Sequence, residues 1–582
     1  MSRNDIGFNI APGLAELRAA RRESNGLFLA VFLFSIVVNV LLLTGPLYML
    51  QVYDRVLGSR SEPTLFALSA LVIFLFFVMG VLDHVRGRVM ARVGAAFQAR
   101  LDRRVFEAAL KRAQVAPSDP AATAAQRDLE AVQRLLSSPV LLAVFDIPWT
   151  PLFLGAIFIF HPMMGWLSIA GGAVLIVVTV LNQRLTKMPL NRANNATIVA
   201  ERMSDNLKAE AEVVQALGMQ QAGFDRWQRA RSVALTSSIE AADLGGSFST
   251  LTKTFRQFLQ SAMLGLAAWL VLRQELSPGA MIAGSILMGR ALQPIEMAVG
   301  QWALVQRAQE GWTRLAELFT RVPVEPPRTQ LPRPRAVLDV QNLTVVPPGE
   351  SYATLRMISF RLEPGQALGV IGPSGSGKST LARALIGGWR PAGGKVRLDG
   401  AALDQYDPDV LGSYVGYLPQ RVTLFEGTIA ENIARLQGSP DGLKVVEAAK
   451  RAAAHDMIVR LPEGYDTRVS ALGGRLSGGQ IQRIGLARAM YGDPVIMVLD
   501  EPNSNLDNEG SLALNDAIRA MKAAGCAILI MAHRPAAIQE CDLLMVMEDG
   551  TRRAFGPRDQ VLRDMVKNHT EIVKSAGPGG VT

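Results

Sequence analysis

Residues 367–385, ALGVIGPSGSGKSTLARAL, decide the fold of the carboxyl-terminal half of this 582-residue chain. An apolar run leads into a glycine-rich turn and a helical pattern, with Gly372, Gly377, Lys378 and Ser379 at the spacing G-x-x-x-x-G-K-[ST]. Glycine allows backbone N–H groups to wrap phosphate oxygens, and the helix that follows adds its positive dipole end. The stretch therefore predicts a strand–turn–helix unit that binds nucleotide phosphates, with Lys378 on the β- and γ-phosphates and Ser379 on Mg²⁺.

The sequence around this unit predicts a parallel-sheet domain. Short β-rich runs alternate with helical stretches: VLDVQNLTVV, ALGVIG, VIMVLDE, AILIMAH and LLMVMEDG. Strands alternating with helices form an α/β domain, which we expect over residues 337–570. Asp500 and Glu501 end the run VIMVLDE. Asp500 suits the Mg²⁺-holding carboxylate of a P-loop NTPase, and Glu501 is placed to polarise an attacking water as general base. The alternative is that two acids cap a strand end.

A second glycine-containing turn lies in RLSGGQIQRIGLARAM, ahead of an amphipathic helix. Its candidate phosphate-binding residues are Ser477, Gly478, Gly479 and Gln480. The turn has no lysine or carboxylate of its own. Two different phosphate-binding turns in one chain therefore suggest a site shared between two molecules. The alternative is that Ser477 caps the helix, a role that the same residue can fill at the same time.

The amino-terminal half has the composition of a membrane protein. The chain is 49% apolar and only 19% charged, whereas soluble chains are about 25% charged. A bilayer core needs about 20 apolar residues in a helix, and six segments are candidates: 27–52, 63–85, 140–160, 164–185, 258–272 and 278–300. The fifth of them is short. The sixth carries Arg290 and Glu296. It is expected to face protein or an aqueous path, unless these two charges lie beyond the cytoplasmic interface.

The basic residues predict the orientation of these spans. Residues 86–136 hold ten Lys and Arg and residues 186–257 hold nine, while the loops at 161–165 and 274–277 hold none. The two long basic segments, and with them both termini, are therefore expected in the cytoplasm. Helical periodicity in these segments predicts that the spans continue as helices into the cytoplasm. The net charge of +9 is then explained by basic segments that face the inner leaflet of the membrane, and we expect no nucleic-acid partner.

We expect five parts along the chain. They are a cytoplasmic amino-terminal segment (1–25), a six-span helical domain with long cytoplasmic extensions (26–320), a linker with five prolines (321–336), the α/β nucleotide-binding domain (337–570) and a disordered tail (571–582).

Six motifs in this order carry a family resemblance: GPSGSGKST, YLPQ, LSGGQ, VIMVLDE, SNLD and MAHRP. Together they resemble the ATP-binding-cassette ATPases. Six spans fused ahead of the cassette resemble an exporter half-transporter. The stretch PLYMLQVYDRVLGSRSEPTL at residues 46–65 is similar to the protease/S-layer/lipase branch of type I secretion transporters. The resemblance covers residues 20–570 and implies an α-helical exporter domain followed by a P-loop ATPase.

The resemblance also implies roles for individual residues. Gln420 senses Mg²⁺ and the γ-phosphate, His533 contacts the γ-phosphate, and Asp507 crosses a dimer. The nucleotide-binding set is Gly372, Pro373, Ser374, Gly375, Ser376, Gly377, Lys378, Ser379, Thr380, Ser477, Gly478, Gly479, Gln480 and Asp507. The Mg²⁺ set is Ser379, Gln420 and Asp500, and the catalytic set is Glu501, His533 and Gln420.

Two positions depart from the family pattern. Residues 345–348 read VVPP where the family has an aromatic residue for adenine, and Tyr352 lies five places late. Either Tyr352 substitutes or adenine binds an aliphatic surface. Ala471 stands where many exporters have a glutamate that contacts the coupling helices.

The function that these features imply is an inner-membrane, homodimeric, ATP-hydrolysing exporter, the ATPase/permease of a type I secretion system. The resemblance implies ATP and Mg²⁺ as cofactors. It also implies an unfolded polypeptide with an uncleaved C-terminal signal as cargo, and a periplasmic adaptor and an outer-membrane channel as partners. The alternatives are a lipid or small-molecule exporter and a membrane scaffold or channel that uses ATP as a switch.

Overall fold

The computed structural model describes residues 9–116, 119–325, 328–469, 476–504, 506, 508–532 and 538–564. The expected tail at 571–582 lies outside these residues. Two compact units account for the chain, the first at 1–113 and 117–324 and the second at 114–116 and 325–582.

The first unit is built from helices. In chain order they are α1 (Ala11–Arg22), α2 (Asn25–Leu41), α3 (Thr44–Gln51), a π-helical turn (Val52–Val56), α4 (Leu57–Ser59), α5 (Glu62–Val115), α6 (Pro120–Thr123), α7 (Ala125–Leu136), α8 (Pro139–Asp146), a 3₁₀ turn (Ile147–Trp149), α9 (Thr150–Phe160), α10 (Pro162–Ala209), α11 (Ala211–Ala216), α12 (Gln220–Leu272), α13 (Pro278–Gly300) and α14 (Trp302–Arg321). Helices α5, α10 and α12 have 54, 48 and 53 residues. Each is about 70–80 Å long at 1.5 Å per residue, more than twice the thickness of a bilayer core. The helices therefore extend well beyond the predicted spans.

Five helical segments in the described chain are long and apolar enough to cross a membrane: Asn25–Ser59, Glu62–Val115, Pro139–Phe160, Pro162–Ala209 and Gln220–Leu272. The sixth predicted span, α13, is a continuous helix of 23 residues but falls outside this set. Eleven of its residues are buried. Neighbouring helices cover much of α13, so it needs less apolar surface than a helix surrounded by lipid.

A buried polar network joins α2, α5 and α8 just past the second predicted span. Arg86 is 4% exposed and donates from Nη1 to Ser35 Oγ and Asp146 Oδ1, both at 2.8 Å. Its Nη2 donates to Asp83 Oδ1 at 2.6 Å, and Asn39 Nδ2 donates to Asp146 Oδ1 at 2.7 Å. One arginine thus holds three helices together.

The stretch at residues 46–65 contains a second long-range contact. Asp54, in the π-helical turn, accepts a hydrogen bond from Ser277 Oγ at 2.5 Å and another from Gly279 N at 2.8 Å. Acidic groups at a helix amino terminus satisfy free N–H groups and the helix dipole. Asp54 therefore ties the first hairpin to the start of α13.

The second unit is the expected α/β domain. Its strands are β1 (Leu338–Val345), β2 (Leu355–Leu362), β3 (Ala367–Ile371), β4 (Gly393–Leu398), β5 (Ala401–Ala402), β6 (Val415–Leu418), β7 (Gly427–Thr428), β8 (Arg468–Val469), β9 (Ile496–Asp500), β10 (Ala527–Ala532), β11 (Leu543–Glu548) and β12 (Thr551–Pro557). Its helices are α15 (Lys378–Leu385), α16 (Pro408–Tyr414), α17 (Ile429–Ile433), α18 (Gly442–Arg451), α19 (His455–Val459), α20 (Gly478–Met490) and α21 (Asn508–Ala523).

The main sheet of the second unit has the order β12-β11-β3-β10-β9-β6, and only β12 is antiparallel to its neighbour. A four-stranded antiparallel sheet, β2-β1-β4-β5, accompanies it. Strands β9 and β10 are buried along their whole length. Strands buried on both faces read as continuous apolar runs, which is why VIMVL and AILIMA could be recognised in the sequence.

Candidate functional site

Five parallel strands end at one edge of the main sheet, and four of them, β3, β10, β9 and β6, lead into the predicted site residues. Ile371 of β3 pairs with Ala532 of β10, Met531 with Asp500 of β9, and Leu499 with Leu418 of β6. The glycine turn, Glu501 and the segment with Gln420 therefore leave the sheet side by side. Ligands of open α/β sheets bind outside the carboxyl ends of the strands, so this edge is the candidate site.

The glycine turn requires glycine at two positions for identifiable reasons. Gly377 has φ +96°, and a Cβ there would lie 2.6 Å from Leu355 Cδ2. A Cβ on Gly372 would lie 2.2 Å from the Met547 carbonyl oxygen. Residues 373–375 are exposed, 376–378 are buried, and Ser379 and Thr380 are half-buried at the start of α15. The turn thus has an exposed rim and a buried base.

Lys378 crosses back over the turn. Its side chain donates from Nζ to the carbonyl oxygens of Gly372 at 2.8 Å and Pro373 at 2.9 Å, and the residue is 6% exposed. Burial lowers the pKa of the Lys378 amine, while the carboxylates of Glu501 and Asp500 raise it, with a net lowering. A buried cation therefore lies over the glycine turn.

Asp500 supplies a carboxylate oxygen without a partner. The residue is 3% exposed, and within the described part of the chain its Oδ1 has no hydrogen-bond partner. Burial raises the pKa of Asp500, and the charge of Glu501 raises it further, while a hydrogen bond with Ser379 lowers it. The buried Ser376 Oγ is likewise unpartnered among the described residues. Buried polar atoms in proteins are normally satisfied, so these two oxygens indicate a site that receives a ligand.

These residues fit Mg²⁺ bound together with a nucleotide. No three His, Cys, Asp or Glu side chains gather into a metal site over the residues that the structure describes. Mg²⁺ in nucleotide sites needs only one or two protein ligands, because phosphate oxygens and waters supply the others. The adjacent Ser379 hydroxyl and Asp500 carboxylate meet that requirement.

Glu501 has an unusual backbone. Its φ is +51°, and its N–H donates to the Met531 carbonyl at 3.0 Å, which ties it to β10. Left-handed backbone at a non-glycine residue is strained and is concentrated at functional sites. The extended backbone of β9 therefore ends at Glu501.

Of the remaining sequence-predicted residues, the structure describes some, and three lie outside the described residues. Gln420 is exposed two residues after β6. Ser477 caps α20: its Oγ accepts from Gln480 N at 3.3 Å, and its N–H donates to Gln480 Oε1 at 2.8 Å. The helix-cap alternative is therefore realised, and Ser477 and Gly478 remain exposed. His533, Asp507 and Ala471 lie outside the described residues.

Tyr352 lies in the loop between β1 and β2 and is 66% exposed. Glu350 raises the pKa of the Tyr352 phenol by a hydrogen bond and by its negative charge. The carbonyl oxygen of Thr354, two residues on, would lie 3.4 Å from a Cβ on Gly377. The loop with Tyr352 therefore borders the glycine turn.

Three residues of the site were not found from the sequence. Tyr417 and Arg383 interact with each other and electrostatically with Asp500. Gln482 of α20, 2% exposed, donates from Nε2 to the Pro502 carbonyl at 3.2 Å, which connects the helix of the second turn to the segment after Glu501. A glutamine on the buried face of an amphipathic helix was the only signal available in the sequence.

Comparison with known proteins gives matches to both units. Residues 355–504 match the family "ABC transporter" and residues 28–294 match "ABC transporter transmembrane region". The chain is 43% identical over 553 residues to the type I secretion system ATP-binding protein PrsD of Rhizobium meliloti, covering 95% of each protein. It is 27% identical over 542 residues to the cyclolysin secretion/processing ATP-binding protein CyaB of Bordetella pertussis, covering 91% of this chain and 75% of that protein.

A solved structure of a bacterial Atm1-family ABC exporter with ATP bound matches with a TM-score of 0.78 at 22% identity, over 96% of this chain and 99% of that one. At this identity the match concerns the fold alone.

Proposed function

The chain belongs to the ABC transporter family and to its type I secretion branch, and on that premise we propose how its residues bind ATP, hydrolyse it and drive export. The protein is an ATP-hydrolysing membrane exporter for protein secretion. The observation that supports the site assignment is a pair of buried oxygens, on Asp500 and Ser376, that have no hydrogen-bond partner among the described residues, together with the interaction of Asp500 with Lys378.

The glycine turn binds the phosphates of ATP. When ATP binds, Lys378 Nζ donates to β- and γ-phosphate oxygens instead of to the carbonyl oxygens of Gly372 and Pro373. These charge-assisted hydrogen bonds offset the free energy that it costs to bury the Lys378 cation. Ser379 and Asp500, with Gln420 nearby, would hold Mg²⁺, and the ion would supply neutralisation of phosphate charge. Tyr352, on the bordering loop, is the aromatic residue available to adenine.

Glu501 acts on the water. Its carboxylate orients a water in line with the γ-phosphate and takes its proton, and the strained backbone holds that carboxylate in place. His533, the residue that follows β10 in the sequence, contacts the γ-phosphate. Positioning and charge neutralisation supply most of the rate enhancement in phosphoryl transfer, so the site needs only one general base.

The complete site takes residues from two copies of the chain. Ser477, Gly478 and Gly479 of one copy close over the nucleotide held by Lys378 of the other, and Asp507 lies along the contact. Exposure of Ser477 and Gly478 at the amino terminus of α20 supports this, because free N–H groups and the helix dipole attract phosphate there. The protein therefore works as a homodimer.

The chain crosses the inner membrane six times, and both of its termini lie in the cytoplasm. The cargo is an unfolded polypeptide, and the partners are a periplasmic adaptor and an outer-membrane channel.

The test of protein secretion is to delete the gene and compare the proteins in the medium, with wild-type and Glu501→Gln copies of the gene returned on a plasmid. Loss of one polypeptide that only the wild-type copy restores is expected. If the deletion leaves the proteins in the medium unchanged and alters the export of lipids or small molecules, the assignment of protein secretion is wrong.

The shared site has its own test, in which Lys378→Ala and Ser477→Arg copies are co-expressed with different affinity tags. If each site draws on both copies, the mixed dimer retains one intact site and occludes about one ATP, whereas neither variant alone occludes ATP. Absence of occlusion in the purified mixed dimer would show that each copy holds a site by itself.

A further inference from the structure

One exposed stripe runs through helices α1 and α2 without interruption. The buried residues of the two helices follow each other at intervals of 4, 7, 7, 4 and 3 residues: Gly13, Leu17, Ser24, Val31, Ser35 and Val38. These intervals fit a turn of 3.6 residues, so the helical phase continues across the junction at residues 23–24. The other side of the helices holds exposed residues at the same kind of spacing, which we call the outer stripe: Arg18, Arg22, Leu29, Leu33, Val37 and Val40.

The outer stripe changes from apolar to cationic at a defined depth. Its four apolar members are 45–59% exposed and lie in the first predicted span, where exposed apolar side chains suit lipid. Leu27 is the last exposed leucine toward the amino terminus within α2, and Arg22 lies five residues, about 8 Å, beyond it along the helix. The headgroup layer on each side of a bilayer is about 5–8 Å thick. Arg22 therefore lies at the depth of the lipid phosphates, and Arg18 lies about one turn further into the cytoplasm.

The acids near these arginines are paired with a different helix. Residues 9–24 contain two acids, Glu16 and Glu23. Glu16 Oε1 accepts a hydrogen bond from Arg104 Nε of α5 at 2.7 Å, and Glu23 Oε2 pairs with Arg100 Nε of α5 at 3.2 Å. The three arginines of the same segment are exposed, and they form no ion pair with any residue that the structure describes: Arg18, Arg21 and Arg22. The exposed side of α1 is therefore cationic and uncompensated.

We infer that Arg18 and Arg22, with Arg21 beside them, bind the headgroups of anionic phospholipids in the cytoplasmic leaflet, while the apolar end of the outer stripe contacts their acyl chains. The inference rests on the proposed placement of the amino terminus in the cytoplasm. A guanidinium group matches a phosphate with two parallel hydrogen bonds. Each basic residue near an anionic membrane surface strengthens the attraction about fivefold, so three arginines discriminate an anionic lipid from a zwitterionic one.

A second copy of this chain fits the outer stripe less well. Two copies in one membrane have the same orientation, and a symmetric contact places the same residues of both copies together. Arg18 and Arg22 of one copy would then face those of the other, and like charges repel each other. A bilayer instead offers phosphate to the arginines and hydrocarbon to the leucines at the depths where the outer stripe requires each.

Fluorescence quenching beside the arginines tests the lipid contact. Ala19 is exposed between Arg18 and Arg22, and the native thiols of Cys526 and Cys541 are each 3% exposed, so Ala19→Cys can carry a small fluorophore alone. The labelled full-length protein is placed in phosphatidylcholine nanodiscs that contain an equal small fraction of nitroxide-labelled phosphatidylglycerol or nitroxide-labelled phosphatidylcholine. We expect the phosphatidylglycerol to quench at least twofold more strongly. Equal quenching by the two lipids would overturn the inference.

A matched control removes the same charge far from the membrane. The triple variant Arg18→Gln, Arg21→Gln and Arg22→Gln is expected to bring the quenching ratio of the two lipids to about one. The control variant Arg226→Gln, Arg229→Gln and Arg231→Gln alters exposed residues of α12 that lie about 60–70 Å from its end at Leu272, and it should keep the wild-type ratio. All six arginines are exposed, so both variants should unfold at the wild-type temperature.

Two further outcomes count against the lipid contact. A quenching ratio that survives removal of the three arginines would show that other residues select the lipid. Loss of the ratio in millimolar inorganic phosphate at constant ionic strength would assign the arginines to a soluble anion.

The orientation on which the inference rests is measured separately. A membrane-impermeant thiol reagent is expected to label Ala19→Cys in inverted membrane vesicles and to leave it unlabelled in intact cells. Labelling from outside intact cells would refute the proposed cytoplasmic amino terminus, while the quenching ratio in nanodiscs would still report whether the arginines bind anionic lipid.

Discussion

Replacing Glu501 separates its chemistry from its backbone strain. Glu501→Gln keeps the size of the side chain and the hydrogen bond from the backbone N–H to the Met531 carbonyl, but it removes the proton acceptor. General-base catalysis contributes about 10²–10⁴-fold, which is about 3–5.5 kcal/mol at 1.36 kcal/mol per tenfold. We expect kcat for ATP to fall by that factor, with ATP still bound and the closed dimer trapped.

The φ of +51° at Glu501 makes a second, independent contribution. A side chain in the left-handed region costs about 1–2 kcal/mol, and glycine removes that cost. Glu501→Gly and Glu501→Ala both lack the carboxylate, but alanine keeps the strain. We therefore expect the glycine variant to unfold at a temperature about 2–8 °C above that of the alanine variant, while both are inactive.

The assays are phosphate release by the purified protein in detergent and thermal unfolding of the same samples. Turnover by Glu501→Gln within threefold of wild type would falsify the general-base assignment. Equal unfolding temperatures for the glycine and alanine variants would refute the strain argument and leave the base assignment untouched.

Three further results are expected. Lys378→Ala should weaken ATP binding at least 100-fold in equilibrium titrations, because the buried cation over the phosphates is lost; ordinary affinity would count against the phosphate cradle. Arg86→Met should destabilise the membrane unit by about 3 kcal/mol, since Asp146 loses its cation; an unchanged melting temperature in detergent would contradict this. The thiols of Cys526 and Cys541 should resist Ellman's reagent at pH 8 until the protein is denatured. Their raised pKa, from 9.0 to about 12, means that stability falls as pH rises above about 9; rapid reaction of native protein would refute their burial.

Much of the cassette could be predicted because its signals are local. The glycine turn, the strand before it and the helix after it are fixed by neighbouring residues, and buried parallel strands leave continuous apolar runs. Five of the six predicted spans fall in helices long and apolar enough to cross a membrane for the same reason, since a lipid-facing helix must be apolar along its own length. The sixth, α13, shows where this reasoning stops, because protein and not lipid covers much of it.

The chain by itself determined the α/β class of the second unit, the glycine turn and the branch of exporters to which the chain belongs, since each can be inferred from short stretches of sequence. Only the tertiary structure decided that Asp54 accepts a hydrogen bond from the start of α13, that Arg86 joins three helices and that Arg256 pairs with Glu296. It also decided that Asp500 Oδ1 has no hydrogen-bond partner among the described residues. The physical reason is that a hydrogen bond or ion pair between distant residues depends on where folding places them. Spacing along the chain carries no record of that placement.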